Sequence, residues 1–248
     1  MNKKMASKFV ILVLLVSLTI SNASAYSYSM TRINSYTNLS PLNLEPECAR
    51  VDYWLNTVAG WSRTFYATET NVDETDFGSS NSGYTGLDSA DFHYHTGHGS
   101  DQIGLVSEIC LYNWASYSST GDVQASEVNK KWDQNNEWVM IASCEVLHDV
   151  NEWAKALKYG HGILGFSSTV PTSTALLDRF FEETINNDDE IVDAWLFATV
   201  ETFDSSVTAV AIADTDDQFV YDHLNGQGTM EPNESPDDSL YAYNSWGC

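Results

Sequence analysis

The sequence predicts an α/β fold with a mostly parallel central sheet. Short apolar runs bounded by small or polar residues, such as Trp138–Ala142, Gly162–Phe166 and Val207–Ala213, have the length and content of buried strands. Stretches with helical spacing separate them, as the alternation of strand and helix in such folds requires. Two runs also end where a reactive side chain meets small residues, Asp88–Tyr94 before Gly97-His98-Gly99 and Trp138–Ala142 before Ser143-Cys144-Glu145. Parallel strands end on one edge, where these folds place their chemistry.

Residues 1–25 combine Lys3, Lys4 and Lys8, an apolar run over Phe9–Ile20 and Ala23-Ser24-Ala25, the pattern of a removable export signal. Residues 26–47 are rich in Ser, Tyr, Thr and Asn without period and are expected as an extended lead-in. The α/β domain is then expected over 48–224, opening with a helix from Cys48 to Ala59 closed by Gly60, a strand at Trp61–Thr68 and an exposed acidic loop at Asn71–Leu87. Beyond the Gly97-His98-Gly99 turn lies a variable region, Asp101–Thr120, and Val123, Val128 and Trp132 suggest a helix over Asp122–Trp132. Further helices are expected at Val150–Lys158, at Thr174–Ile185 with a Ser173 or Thr172 cap and Leu176, Leu177, Phe180 and Phe181 inward, and at Asp193–Val200. Residues 225–248, rich in Gly, Pro, Asp and Asn, read as a surface tail.

The export segment holds three of eleven basic residues and none of the 35 acidic ones, which leaves eight basic residues for the remainder. Such a chain repels nucleic acid and anionic lipid, and no other run reaches membrane length. It is therefore expected outside the cell, not embedded in a membrane, with its charge serving solubility. No cofactor is expected, although so acidic a surface is compatible with calcium. Asn38-Leu39-Ser40 and Asn233-Glu234-Ser235 are glycosylation sequons. Cys48, Cys110, Cys144 and Cys248 match no zinc-ribbon spacing; disulfides are the default for an exported chain, so whether Cys144 is paired or free becomes the deciding question. Oligomeric state is left open.

Three chemistries fit the turns. Cys144 could act as a nucleophile, with His98 transferring protons and the N–H groups of Gly99 and Cys144 facing an oxyanion. His93, His95 and His98 have a His-x-His-x-x-His spacing that could hold zinc for a hydrolase, although Gly97 stands where such sites carry an Asp. A non-catalytic acidic interaction module that retains the fold is the third reading.

The two turns, 46 residues apart, resemble the His-Gly and Ala-Cys signature of the caspase-like cysteine peptidases, the group of caspases, legumain, gingipains, clostripain and metacaspases. The resemblance implies a caspase-hemoglobinase-like three-layer α/β/α sandwich with the His after one central strand and the Cys after the next. It implies a cysteine endopeptidase or a degenerate relative acting on a peptide or protein substrate, with His98 as catalytic histidine, Cys144 as nucleophile and Gly99 as oxyanion donor. More closely, Asp76-Phe77, Asp88–Ser100, Trp138–Leu147, Trp153 and His161–Phe166 resemble an uncharacterised family of secreted prokaryotic proteins. One departure bears on the substrate cleft: the better-studied peptidases carry small residues after the cysteine, where this chain has Val146-Leu147.

Overall fold

The computed structural model describes residues 26–79, 85–101, 106–115, 121–132, 135–234 and 240–248. The expected export signal lies outside them. Among the described residues ten strands form, β1 Ser27–Arg32, β2 Ser62–Thr68, β3 Phe92–Thr96, β4 Gly99–Asp101, β5 Ser107–Cys110, β6 Asp122–Gln124, β7 Trp138–Ala142, β8 Gly162–Phe166, β9 Thr208–Ala213 and β10 Ala242–Gly247. Seven make the central sheet in the order β10-β9-β8-β7-β3-β1-β2, and β4, β5 and β6 make a small antiparallel one. From β2 to β8 every neighbour is parallel; β9 alone runs against the rest. The α/β class and mostly parallel sheet are thus as the sequence predicts.

Alternation along each strand builds two apolar layers, one on each face of the sheet. Tyr28, Met30, Phe92, Tyr94, Trp138, Met140, Leu164 and Phe166 face one layer. It is closed by helices α1 Glu45–Val51, α3 Thr174–Phe181 and α4 Ile191–Thr202. Val139, Ile141, Ile163, Val210 and Ile212 face the other layer, covered by the short helix α2 Val150–Ala154, by turns and by the small sheet. A last helix, α5 Asp216–Tyr221, follows β9. Helix α3 starts where its sequence indicates: the Ser173 hydroxyl accepts from the Leu176 N–H, and Leu176, Leu177, Phe180 and Phe181 are buried. Among the described residues no helix is long and apolar enough to cross a membrane.

Four expectations are corrected. Residues 26–47 are not merely a lead-in, because β1 lies inside the sheet between β2 and β3. Its polar residues escape notice as a strand because Ser29 and Thr31 spend their hydroxyls on buried His93 and His95. Asp122–Trp132 is not a helix; Asp122–Gln124 pairs with β5 as β6, and Trp132 forms an isolated bridge with Leu157. That bridge also ends α2 at Ala154, short of the predicted Lys158. Residues 225–248 hold β10, which extends the sheet through β9. The acidic loop at Asn71–Leu87 is anchored by buried Val72, Phe77 and Leu87, while residues 80–84 lie outside the description.

Candidate active site

The parallel register of β3 and β7 runs from Phe92↔Trp138 to Thr96↔Ala142. His98 and Cys144 therefore each stand two residues beyond the last registered pair, on the carboxyl edge of the sheet. Both line one cavity of about 330 Å³, whose walls include Leu42, Leu44, Phe166 and Leu176. The sequence places the two groups at a common rim, and the structure puts them in a common hollow.

The segment between β1 and α1 holds His98 from behind. Its backbone N–H donates to the Tyr36 hydroxyl at 2.7 Å, and the Tyr36 ring stands edge-on to the imidazole at 4.8 Å. Nε2 lies 2.9 Å from the Ser40 carbonyl oxygen. A carbonyl only accepts, so Nε2 carries hydrogen and a neutral ring keeps its lone pair on Nδ1. Burial raises the Tyr36 phenol well above its ordinary pKa, keeping it a neutral partner.

Cys144 is half-buried and free; Cys48, Cys110 and Cys248 are free as well, the first two of them buried. Its thiol donates to the Val170 carbonyl at 3.6 Å, and its sulfur accepts from the Val170 N–H at 3.4 Å. Burial raises the thiol pKa, the Val170 N–H opposes the rise and the Glu145 charge adds to it. Cys144 therefore rests as a thiol, its hydrogen bonds directed to Val170 and those of His98 to Ser40 and Tyr36. Glu145 follows at φ +62°, a left-handed conformation that is costly for a residue with a Cβ. Its N–H donates to the Ser168 carbonyl, and its carboxylate accepts from the Asp101 N–H at 3.3 Å and the Thr169 hydroxyl at 3.4 Å. The sharp turn that releases Cys144 from β7 is thus held on both sides.

Gly99 packs on this turn. A Cβ there would overlap the Cys144 carbonyl oxygen and press on Val146 at 2.6 Å, so only glycine allows the two backbones to approach. Gly97 and His98 line the cavity; Gly99 braces it from the side. Val146 and Leu147, the departure from the small residues of the peptidases, are fully buried and point into the second apolar layer.

The structure does not bring His93, His95 and His98 together as metal ligands; among the described residues no group of three or more His, Cys, Asp or Glu could hold a metal. His93 bonds Ser29 and Thr31, His95 bonds Thr31, and both lie against Phe77. Burial pushes His95 down to about 3 and His93 well below its ordinary value, so both rings are neutral core residues.

Three site residues were missed by sequence reasoning. Tyr36 and Ser40 act through a hydroxyl and a backbone carbonyl in a stretch without period. Glu47 lines the cavity from α1; its carboxylate accepts from Tyr94 Oη at 3.0 Å, Thr96 Oγ1 at 2.8 Å and the Ser173 N–H at 2.7 Å. It ties α1, β3 and the approach to α3 together, and a charge just inside the first turn of a helix carries no pattern that separates it from an N-terminal acidic residue.

Fold and cavity together define an α/β protein with a cysteine and a histidine at the carboxyl edge of a mostly parallel sheet. Residues 30–246 match the family described as Domain of unknown function (DUF6345), and the chain belongs to that family. A comparison with curated proteins finds no match.

Proposed function

We propose that the chain is an exported cysteine-type peptidase of caspase-like, three-layer architecture. The observation that carries this reading is the delivery of Cys144 and His98 by adjacent parallel strands into one cavity. As the Cys144 sulfur attacks the peptide carbonyl, its thiol proton passes to His98 Nδ1; the ring then gives that proton to the leaving amine as the C–N bond breaks, and the N–H groups of Gly99 and Cys144 hold the oxyanion. The ring geometry suits this division: Nε2–H is committed to Ser40, so Nδ1 handles the proton, while the thiol is engaged by Val170. Water then releases the acyl group from sulfur and restores the thiol.

A second reading is supported by the raised thiol pKa and by the separate backbone partners of the two side chains. On that reading the chain is a non-catalytic interaction module that retains the fold. Iodoacetamide labelling with peptide-library digestion separates the two. A peptidase gives cleavage that vanishes in Cys144→Ala and in His98→Ala, with Cys144 alkylated before the other thiols. Unchanged peptides and an alkylation rate that His98→Ala leaves unaltered would sink the enzyme.

A further inference from the structure

The amino-terminal edge of the sheet, opposite the cavity, carries a second cluster of ionisable groups. His161 immediately precedes β8 and Glu137 immediately precedes β7. The imidazole is 1% exposed. Its Nδ1 lies 2.8 Å from Asp222 Oδ2; its Nε2 lies 3.1 Å from Glu137 Oε2 and 3.2 Å from Asn233 Oδ1. Glu137 makes a charge contact rather than an aligned hydrogen bond, and the aligned partner of Nε2 is Asn233. Carboxylate and amide oxygens accept only, so both ring nitrogens are satisfied only when both carry hydrogen.

The same cluster fastens a segment from far along the chain. Asp222 Oδ2 also accepts from Trp138 Nε1 at 2.6 Å, and Oδ1 accepts from the Glu231 N–H at 2.8 Å. Asn233 is held by His161, and between them the Pro232 carbonyl accepts from Gln218 Nε2 at 3.1 Å. Two of the three residues Glu231–Asn233 are therefore held through Asp222 or His161. We propose that His161, Asp222 and Glu137 form a proton-operated clasp that binds Glu231–Asn233 to the sheet at mildly acidic pH and releases it as pH rises.

The charges around the ring all favour the proton. Asp222 and Glu137 face it directly, Asp91 stands behind Glu137, and Asp214 donates its N–H to the His161 carbonyl. Burial acts to lower the His161 pKa, but the bond and charge of Asp222 and the charge of Glu137 outweigh it and the value is raised. Burial likewise raises Glu137 to about 7. Both groups hold their protons more tightly in the folded chain. Their contribution is complete below the unfolded values and is lost as pH rises through the folded ones, for Glu137 between its ordinary 4.5 and about 7 and for His161 from its ordinary 6.5 upward. Once the proton leaves, a ring nitrogen presents a lone pair to an oxygen in a buried space, and the hold on Asn233 fails.

The test is hydrogen exchange read by mass spectrometry on the full chain, corrected for intrinsic rates, between about pH 5.5 and 8.5. Protection over residues 229–234 is expected to fall at least about tenfold, the effect of one pKa unit of linkage, while α3 keeps its protection. His161→Gln is expected to remove the pH dependence, leaving the segment equally labile throughout. Should that variant not fold, Asn233→Ala removes the fastening and leaves the ring intact: the segment becomes labile at all pH while the His161 ¹³C resonance still titrates above 6.5. Protection that is flat with pH in the unaltered chain, a fall shared equally by α3, or a His161 midpoint at or below 6.5 would overturn the clasp.

Discussion

The His98 ring is fixed to the Ser40 carbonyl at 2.9 Å, so a backbone oxygen in the segment between β1 and α1 sets which ring nitrogen faces the cavity. That segment is itself pinned. The Asn34 side chain accepts from the Leu44 N–H and donates to Glu45, and Glu69 accepts from the N–H groups of Asn34 and Ser35. Position, not side-chain chemistry, makes Ser40 part of the site.

Tyr36→Phe keeps the edge-on ring and removes the hydroxyl that accepts from the His98 N–H. The orphaned donor should cost about 1–3 kcal/mol in urea denaturation. A variant as stable as the parent would show that the hydroxyl bond contributes nothing.

Alkylation of Cys144 should be slow near neutral pH and accelerate as pH passes its ordinary value of 9, because burial holds the thiol up. Cys48, pushed up to about 12 and buried, should stay unmodified in the folded chain. Mass spectrometry of time points across pH measures both; early labelling of Cys48 would contradict the packing around it.

Gly99→Ala places a methyl group against the Cys144 carbonyl, a backbone atom that cannot swing aside. The expected loss is about 1–3 kcal/mol of stability. At Gly97 the nearest obstacle is the Tyr36 hydroxyl at 2.6 Å, on a side chain able to shift, so Gly97→Ala should cost less. Melting temperatures in the reverse order would refute the assigned close approach.

Thr31 serves both buried histidines, with its hydroxyl 3.1 Å from His93 Nε2 and 2.9 Å from His95 Nδ1. Thr31→Val should cost about 1–3 kcal/mol, and Thr31→Ser should recover most of it. The histidines also make the chain acid-labile. A group held below its unfolded value contributes stability that is whole above about 6.5 and disappears as pH falls toward the folded value, about 3 for His95. Stability measured between about pH 6.5 and 4 should fall less steeply in His95→Asn, by up to about 1.4 kcal/mol per pH unit for the single proton removed. An unchanged slope would mean that His95 is charged in the fold.

The elements with the clearest apolar patterning were legible. Trp138–Ala142, Gly162–Phe166 and the start and buried face of α3 stand where their residues indicate, because each buries a continuous run or a single stripe. The rim shared by His98 and Cys144 followed from two such runs. What stayed hidden is polar or borrowed. The alternation in β1 sets Tyr28 and Met30 against Ser29 and Thr31, and it becomes a strand only because histidines 62 to 64 residues away in sequence complete its hydrogen bonds. Val123, Val128 and Trp132 imitate helical spacing, yet they are gathered into the second layer by a strand, a tight turn and an isolated bridge. An edge strand such as β10 buries little and leaves almost no mark in composition.

The reversed direction of β9 has a consequence for the cavity. Because its first residue lies on the carboxyl edge, Thr208 both receives the Ser167 N–H and donates to the Ser168 hydroxyl, just ahead of the Val170–Ser173 wall. Among the described residues the cavity lining ends at Leu176, yet β9, further along the polymer, acts as a buttress for that wall. A truncated chain ending before β9 would keep every lining group and lose the scaffolding that holds one side of the hollow upright.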